Sequence, residues 1–407
     1  MLDQLIAALR GVPFFELFAA LGTAGSIFWG GVRLGRLLSR RSIGIRLDDA
    51  NARLKREQDR SSELETRFSE IRQVLDGSVD FWLKPAAHDL SHYIKSLNTS
   101  KPIILVANFK GGVGKTTLSA NLAAYFDLHR KKRVLLIDFD YQGSLTETLL
   151  ASAKLPELEA SARRLIQGKD GIETVYDKSH SLHPALPRSR FFSCFYGFNK
   201  VENQLLLEWV TRKESQEIRF NTHNYLGSEL FQKEFDVIII DAPPRLMTAT
   251  VNAACASTHV LIPTMLDGMC TNATLNTLGV FHELRKELTP SLNILGIVPT
   301  FVAQRSSLNT RETIALQELT ELLPAYWKSA PLPEIFTDAW ISRREAIAKV
   351  AAQGLAFEAD EDVKDMFVAL GNKISKKVFV DEGSEPTPST HEAAANVTRI
   401  DAGRRRG

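Results

Sequence analysis

The chain has 407 residues, of which 44% are hydrophobic and 24% are charged. These proportions are typical of a globular protein that is long enough to bury a large core. The formal net charge of +2 excludes a chain that is basic throughout, so any basic surface must be local. Three cysteines, Cys194, Cys255 and Cys270, are far apart and match no metal-ligand spacing, which favours a reducing cytosol for the main domain.

The first segment, residues 1–44, differs from the rest because it is amphipathic and then apolar. The run from Leu17 to Val32 contains no charged residue, although a spanning helix needs ~20 mainly apolar residues. Arginines follow it, at Arg33, Arg36, Arg40, Arg41 and Arg46. Their position predicts a membrane anchor that tethers the rest of the chain to the inner face of the cytoplasmic membrane. The alternative is a helix buried in this protein or in a partner.

Residues 45–100 are predicted to form a helical linker. Apolar residues recur there every seven positions, in two series: Leu47, Leu54, Ser61, Phe68 and Leu75, and Ala50, Glu57, Leu64 and Ile71. This period is typical of a coiled coil or of a long amphipathic helix. Ser61 and Glu57 weaken the middle of the pattern, so a helix that lies on the main domain is an equal alternative.

Residues 101–380 alternate short apolar runs with helical patterns. The runs are PIILVANF, RVLLIDFD, FDVIIIDAP, HVLIPT and LNILGIVPT, and they lack the polar alternation of half-exposed strands. Such runs indicate parallel strands buried on both faces. We therefore predict an α/β fold with a doubly wound, mostly parallel sheet, helices on both faces and a helical N-terminal extension. Residues 381–407 are small, polar and proline-containing, which predicts a disordered tail.

The stretch NFKGGVGKTTLSANLAAYF, which begins at Asn108, places Lys110 and Lys115 in one glycine-rich turn between an apolar run and a helix. Two nearby cations repel each other, so the turn is expected to hold an anion. Backbone N–H groups of a glycine loop and a helix N-terminus bind phosphate. In a phosphate loop, Lys115 reaches the β- and γ-phosphates and the Thr116 hydroxyl ligates Mg²⁺. Phe109 stands where the usual motif has its first glycine.

The sequence K-G-G-x-G-K-T-T resembles the deviant Walker A loop of the ParA/MinD family of ATPases. RVLLIDFDYQGSLT resembles that family's second conserved block, except that Tyr141 replaces a proline. FDVIIIDAPPRL resembles its Walker B strand, which ends in Asp241 and a Pro243–Pro244 pair. The similarity covers about residues 101–350, and the two strands that follow Walker B match in order and spacing.

This resemblance implies a slow ATPase that binds ATP and Mg²⁺ and forms a homodimer on ATP binding. The implied nucleotide-binding residues are Lys110, Gly111, Gly112, Val113, Gly114, Lys115, Thr116 and Thr117. The implied Mg²⁺ residues are Thr116, Asp138 and Asp241, and the catalytic residues are Lys110, Lys115 and Asp140. Lys110 would reach the ATP of the partner subunit, and Asp140 would position the attacking water.

Two biological roles are open to such a switch. In the first, the protein partitions or positions a cargo and binds DNA nonspecifically through Arg343, Arg344 and Lys349, with Lys373, Lys376 and Lys377 nearby in sequence. The alternative for these residues is a solvated helix face. In the second role, a membrane scaffold or sensor in secretion, envelope assembly or phage defence recruits partners according to its nucleotide state. Both roles imply a further protein partner that stimulates hydrolysis.

Overall fold

The computed structural model describes residues 40–75, 79–84, 91–99, 101–211, 217–350 and 354–379. Most of the predicted anchor, residues 1–44, and the predicted tail, residues 381–407, lie outside the described residues. The chain divides into two compact units with a boundary between Ser69 and Glu70.

The N-terminal extension contains one long helix, α1, which spans Arg40–Leu75 and has 36 residues. At 1.5 Å per residue it is about 54 Å long, and it confirms the predicted helical extension. Leu54 and Phe68, which belong to the same series of the seven-residue repeat, are 46% and 43% exposed. Pairing of this helix in a coiled coil stays a prediction. Among the helices that the structure describes, none is both long enough and apolar enough to cross a membrane.

The second unit is built on one sheet. Its strands in the described residues are β1 Ile103–Val106, β2 Val134–Asp138, β3 His180–Ser181, β4 Arg190–Phe192, β5 Val237–Asp241, β6 His259–Thr264, β7 Asn293–Val302 and β8 Ile341–Ser342. Their order across the sheet is β3-β4-β2-β5-β1-β6-β7-β8. Neighbouring strands are parallel, except that β3 is antiparallel to β4. The five predicted strands are confirmed as β1, β2, β5, β6 and β7.

The described helices of this unit surround the sheet. They are α2 Ser91–Thr99, α3 Lys115–Ala124, α4 Ser144–Ala153, α5 Arg163–Gln167, α6 Ile172–Asp177, α7 Phe198–Thr211, α8 Asn221–Leu226, α9 Glu229–Glu234, α10 Thr248–Ala256, α11 Gly268–Glu287, α12 Thr310–Tyr326, α13 Glu345–Val350 and α14 Glu361–Val378. A single turn of π-helix, Tyr125–His129, extends α3.

The hydrophobic core lies on both faces of the sheet. Along β1, Ile103 and Leu105 belong to one buried cluster, whereas Ile104 and Val106 belong to another. Alternate residues of a strand point to opposite faces, so a strand that is covered on both faces needs apolar residues at every position. This double burial confirms the predicted doubly wound α/β architecture.

A buried arginine joins the stretch before β1 to this core. The guanidinium of Arg219, which is 0% exposed, donates hydrogen bonds to Glu217 and to the backbone carbonyl of Trp82. The Trp82 ring stacks on Trp209, with 5.8 Å between the ring centroids. The main domain therefore begins before its first strand, inside residues 45–100, which the sequence predicted to be a linker.

Candidate functional site

The site is formed by the loop between β1 and α3. Gly112 and Gly114 have φ angles of +77° and +85°, which residues with a Cβ atom rarely adopt. A Cβ atom on Gly114 would also lie 3.2 Å from the Phe301 ring. By contrast, a Cβ atom on Gly111 or Gly112 would have no atom within 4 Å. The loop is therefore closely packed where it enters α3 and open beside its first two glycines.

Two buried polar side chains fix the ends of this loop. Asn108 accepts a hydrogen bond of 2.9 Å from the Lys110 N–H and donates one of 2.9 Å to the Pro263 carbonyl. At the other end, the Thr300 hydroxyl donates to the Val113 carbonyl at 2.8 Å. The backbone of the loop is thus held by β6 and β7, whose carboxyl ends lie beside it.

Phe109, the residue that departs from the usual motif, belongs to the support of the loop. Its ring stacks on Phe281 of α11, with 6.2 Å between centroids. Its N–H donates to the Thr277 hydroxyl at 3.1 Å. A glycine at this position would remove the ring contact between the loop and α11.

Lys115 is the first residue of α3, and only 7% of it is exposed. Its ammonium group donates a hydrogen bond of 2.9 Å to the backbone carbonyl of Lys110. Burial lowers the pKa of Lys115, and the negative charges of Asp241 and Asp140 partly offset this effect. Because an ammonium has three donors, Lys115 is suited to hold an anion at the open side of the loop. Lys110 is half-buried, and its reach towards a second subunit stays a prediction.

Asp241 lies at the end of β5 and connects that strand to α3. Its carboxylate accepts hydrogen bonds from the Thr116 hydroxyl at 2.8 Å and from the Ser119 hydroxyl at 2.9 Å. Burial raises the pKa of Asp241 to about 6, against the opposing effects of the Thr116 hydrogen bond and the Lys115 charge. Thr117 is half-buried, and its backbone carbonyl accepts a hydrogen bond of 2.7 Å from Asn121.

Asp138 ends β2 directly beside Asp241 in the register of the two strands. It is 0% exposed and accepts hydrogen bonds from the N–H and hydroxyl of Thr146, at 2.9 and 2.7 Å. Its other oxygen accepts from the Asp140 N–H at 3.0 Å. Burial raises the pKa of Asp138, and the neighbouring charge of Asp241 adds to this rise. Asp138 therefore shapes the loop that carries Asp140, which is itself half-buried.

These observations place the residues selected from the sequence at one edge of the sheet. The glycine loop, Asp138 and Asp241 follow β1, β2 and β5, which are adjacent in the order of strands. Ligands of open α/β sheets bind at the carboxyl ends of the strands. The hydrogen bonds of Asp241 with Thr116 and Ser119 connect this edge to the first turns of α3, which begins at Lys115.

The sequence interpretation missed a second group of side chains near Asp140. The guanidinium of Arg245 lies over the Tyr141 ring at 4.6 Å and donates to Glu202 at 2.5 Å and to Asn199 at 3.2 Å. Glu202 is 0% exposed. Arg245 follows the Pro243–Pro244 pair and could have been noticed there, whereas nothing in the pattern of α7 distinguishes Glu202.

A cavity of about 500 Å³ adjoins the loop, and it was also missed. Thr300 and Phe301, which contact Val113 and Gly114, form one wall. The other charged or amide side chains that line it are Asp267, Asn309, Arg311, Glu312, Glu318 and Arg343. They come from the segments after β6 and β8 and from the first half of α12 with its N-cap, so their proximity depends on the tertiary fold.

The basic residues considered for DNA binding are mostly in ion pairs. Arg344 is paired with Asp362, Lys349 with Glu345, and both Lys373 and Lys377 with Glu334, at distances of 3.7, 2.8, 2.6 and 2.6 Å. Arg343 is exposed and borders the cavity. The neighbouring carboxylates offset much of the positive charge that the sequence suggested.

A glycine loop that enters a helix at the carboxyl edge of a parallel sheet, with a buried lysine and a hydroxyl–carboxylate pair, defines a P-loop nucleoside-triphosphatase fold. A family model described as an AAA domain matches residues 101–294. The apo form of McdA from Cyanothece has the same fold, with a TM-score of 0.54 and 22% identity over 67% of this chain and 99% of that chain.

Two curated relatives are more similar in sequence. The chromosome-partitioning ATPase Soj of Thermus thermophilus is 32% identical over 207 residues, which are 50% of this chain and 71% of Soj. The sporulation initiation inhibitor protein Soj of Bacillus subtilis is 30% identical over 206 residues, 51% of this chain and 75% of the relative. The chain belongs to the ParA/MinD family of P-loop ATPases.

Proposed function

We propose that this ParA-type ATPase is a slow ATP-driven switch that dimerises around bound nucleotide and partitions or positions a cargo. The observation that carries the proposal is the buried Lys115 ammonium at an open glycine loop, beside Asp241 and Thr116. A triphosphate would give this buried cation its counter-charge. The partitioning and positioning role rests on the likeness to the Soj proteins.

The oxygen atoms at the end of β5 fit Mg²⁺. The Thr116 hydroxyl and the Asp241 carboxylate are 2.8 Å apart, and both are hard oxygen ligands of the kind that Mg²⁺ prefers. In the described residues, no group of three or more His, Cys, Asp or Glu side chains could hold a metal. Mg²⁺ takes one or two carboxylates together with phosphates and water, and Asp241 would supply one carboxylate here. When bound there, Mg²⁺ would neutralise part of the negative charge of the phosphates.

The remaining roles follow from position. Gly111, Gly112, Val113 and Gly114 would present N–H groups to the phosphates, and the start of α3 adds its dipole. Asp140 would orient the attacking water. Both oxygens of Asp138 already accept hydrogen bonds from Thr146 and Asp140, which favours a loop-shaping role over direct contact with Mg²⁺.

Dimerisation would bring Lys110 to the nucleotide of the other subunit. The main chain of Lys110 is fixed through its N–H by Asn108 and through its carbonyl by Lys115, so its side chain starts from a rigid base. Large apolar side chains are exposed near the site, with Tyr196 at 71% and Met269 at 72%. Exposed apolar groups around a site favour a protein interface, and a second copy would cover them.

The cavity beside the loop is our candidate for the adenosine part of the nucleotide. Its volume of about 500 Å³ is ample for a base and ribose. The Phe301 ring offers an apolar surface for a base, and the polar groups of Asp267 and Asn309 offer hydrogen bonds. Because Phe301 also packs against Gly114, a base there would lie next to the phosphate loop.

Residues 1–44 would attach this switch to the inner face of the cytoplasmic membrane. The support is the uncharged run from Leu17 to Val32 and the arginines after it. A permanent attachment conflicts with a partitioning cycle in which the protein must diffuse and rebind DNA. The uncharged run from Leu17 to Val32 and the ion pairs of Arg344 and Lys349 therefore favour a second candidate function. This is a membrane scaffold in secretion, envelope assembly or phage defence, whose nucleotide state controls assembly.

Cell fractionation separates the two functions. The full-length protein and a version without residues 1–44 are expressed, and each is assayed for membrane pelleting and for ATP-dependent DNA retardation at two salt concentrations. The scaffold function predicts that only the full-length protein pellets and that neither version retards DNA. If the full-length protein and the shortened version both stay in the soluble fraction, and both retard DNA in a salt-sensitive way, the partitioning function is supported instead.

A further inference from the structure

We propose that Arg245 is a positioning residue for ATP hydrolysis: by holding the Tyr141 ring it fixes the loop that carries Asp140. The inference rests on the proposed function and adds a residue to its machinery. Arg245 would not touch the nucleotide itself. It would act through the loop between β2 and α4.

The main chain of Arg245 is itself rigidly placed. Its N–H donates to the Pro243 carbonyl at 2.8 Å, and its carbonyl accepts from the Thr250 hydroxyl at 2.6 Å. These bonds hold the turn between β5 and α10, immediately after Asp241. The side chain of Arg245 therefore extends from the turn after β5 to the loop after β2.

The guanidinium is held in place by a buried carboxylate. Glu202 of α7 accepts from it at 2.5 Å, and the other Glu202 oxygen accepts from the Ala249 N–H at 2.9 Å. Asn199 accepts a further hydrogen bond from Arg245 at 3.2 Å. Glu202 is 0% exposed and the Arg245 side chain is 25% exposed, so the carboxylate that holds the guanidinium is shielded from water. The guanidinium is consequently held by Glu202 and Asn199 of α7, and Glu202 is itself held by α10, independently of the contact with Tyr141.

Tyr141 transmits this position to Asp140, its neighbour in sequence. The Tyr141 ring lies 4.6 Å from the guanidinium, a distance at which a cation is attracted to an aromatic face. Within the loop, the Asp140 carbonyl accepts from the Gly143 N–H at 2.8 Å and the Asp140 carboxylate accepts from the Gln142 N–H at 3.0 Å. The loop is thus held both by its own hydrogen bonds and by the contact of Tyr141 with Arg245.

The inference predicts a loss of turnover with little loss of nucleotide affinity. Neither Arg245 nor Tyr141 forms a hydrogen bond with the glycine loop, Thr116 or Asp241; the partners of the Arg245 side chain are Glu202, Asn199 and the Tyr141 ring. A small displacement of Asp140 should therefore lower kcat, on the order of 10- to 100-fold, because a 1 Å misplacement of a reacting group has effects of this size. KM for ATP should stay within about threefold, because binding groups are unchanged.

The test compares full-length variants in a steady-state ATPase assay, with thermal unfolding measured for each. Tyr141→Leu removes the ring, and Tyr141→Phe keeps it and should restore kcat. Arg245→Met alone would leave Glu202 charged and buried, so it is combined with Glu202→Gln, which retains an acceptor for Ala249. Arg133→Met is the matched control, because Arg133 pairs with Asp236 at the opposite, amino-terminal edge of β2 and β5.

We expect Tyr141→Leu and Arg245→Met/Glu202→Gln to have similarly low kcat, and their combination to be no worse than either, since the pair acts as one unit. The inference is overturned if both variants keep kcat within about twofold of wild type, or if KM rises while kcat stays constant. A failure of wild type itself to bind ATP would contradict the proposed function instead. Lys115→Ala, which tests that function separately, distinguishes the two failures.

Discussion

The ammonium group of Lys115 donates a hydrogen bond of 2.9 Å to the backbone carbonyl of Lys110. Two lysines in one turn are thus arranged so that the side chain of one is buried against the main chain of the other. Lys115 is almost fully buried, whereas Lys110 is half-buried. This arrangement holds the Lys115 ammonium inside the glycine loop of its own subunit, whereas the proposed function assigns the Lys110 side chain to the nucleotide of a second subunit.

Replacing Lys115 with alanine should abolish ATP binding. Loss of one partner of a buried charge pair costs about 2–5 kcal/mol, or a factor of roughly 30 to several thousand in Kd. Fluorescence titration with a labelled ATP measures the effect, and Lys169→Ala, at an exposed position, is the control. Equal affinity of the Lys115→Ala and Lys169→Ala variants would refute the role of the buried lysine.

Replacing Asp140 with alanine should separate binding from hydrolysis. Asp140 belongs to the loop after β2 and supports Gln142 and Gly143, not the glycine loop. The variant should bind ATP with wild-type affinity, lose at least about 100-fold in hydrolysis and accumulate as nucleotide-bound dimers. Light scattering coupled to size exclusion, with ATP and Mg²⁺, measures this accumulation. Loss of nucleotide binding by the variant would show that Asp140 has a different role.

The pKa of Asp241 predicts how stability of the nucleotide-free protein depends on pH. Burial raises this pKa to about 6 from an ordinary 3.8, so the folded state binds a proton that the unfolded state has released between these values. The stabilisation is complete below about pH 4 and is lost as pH rises through about 6. Its upper limit is about 3 kcal/mol, at 1.36 kcal/mol for each pKa unit.

Asp241→Asn isolates this contribution, because asparagine keeps an acceptor for Thr116 and does not ionise. Urea unfolding of both proteins between pH 4.5 and 8 should show the variant gaining relative stability up to about pH 6 and then a constant difference. If the free energies of unfolding of the two proteins differ by a constant amount across this pH range, Asp241 does not cause the pH dependence. The same variant should lose Mg²⁺-dependent ATP binding at neutral pH.

The buried Arg219 predicts a large effect on stability at a distance from the site. Arg219→Met would leave the nearly buried Glu217 without its cation, and the backbone carbonyl of Trp82 without a donor. The free energy of unfolding should fall by about 3–5 kcal/mol, and Glu217→Gln in the same chain should recover part of it. Urea unfolding measures both the loss of stability in Arg219→Met and its recovery in the double variant. A loss below about 1 kcal/mol, or no recovery, would contradict a stabilising role for this pair.

The sequence was sufficient for the central sheet because β1, β2, β5, β6 and β7 are continuous apolar runs that are covered on both faces. It was insufficient for β3, β4 and β8, which have only two or three residues each, too few for any periodic pattern. It also placed the start of the main domain too late, since nothing local marks Trp82 as a partner of Arg219.

In the candidate site, too, residues with a local sequence signal were predicted and residues that depend on tertiary contacts were not. The glycine loop, Asp138 and Asp241 were found because each lies within a few residues of a recognisable strand. Glu202 and the cavity residue Asn309 were missed because they approach the site only through tertiary packing of α7 and α12. Arg245 is intermediate, since its position after the proline pair was visible but its contact with Tyr141 was not.

Subunit complementation tests the shared use of Lys110 most directly. Lys110→Ala and Asp140→Ala chains carrying different tags are co-expressed, and heterodimers are isolated by both tags and assayed for ATP hydrolysis. If Lys110 serves the partner's nucleotide, one of the two sites in each heterodimer is complete, and about half of wild-type hydrolysis per dimer should return. A Lys115→Ala and Asp140→Ala heterodimer, in which neither site is complete, should stay inactive. No recovery in the first heterodimer, or equal recovery in both, would contradict the exchange of lysines between subunits.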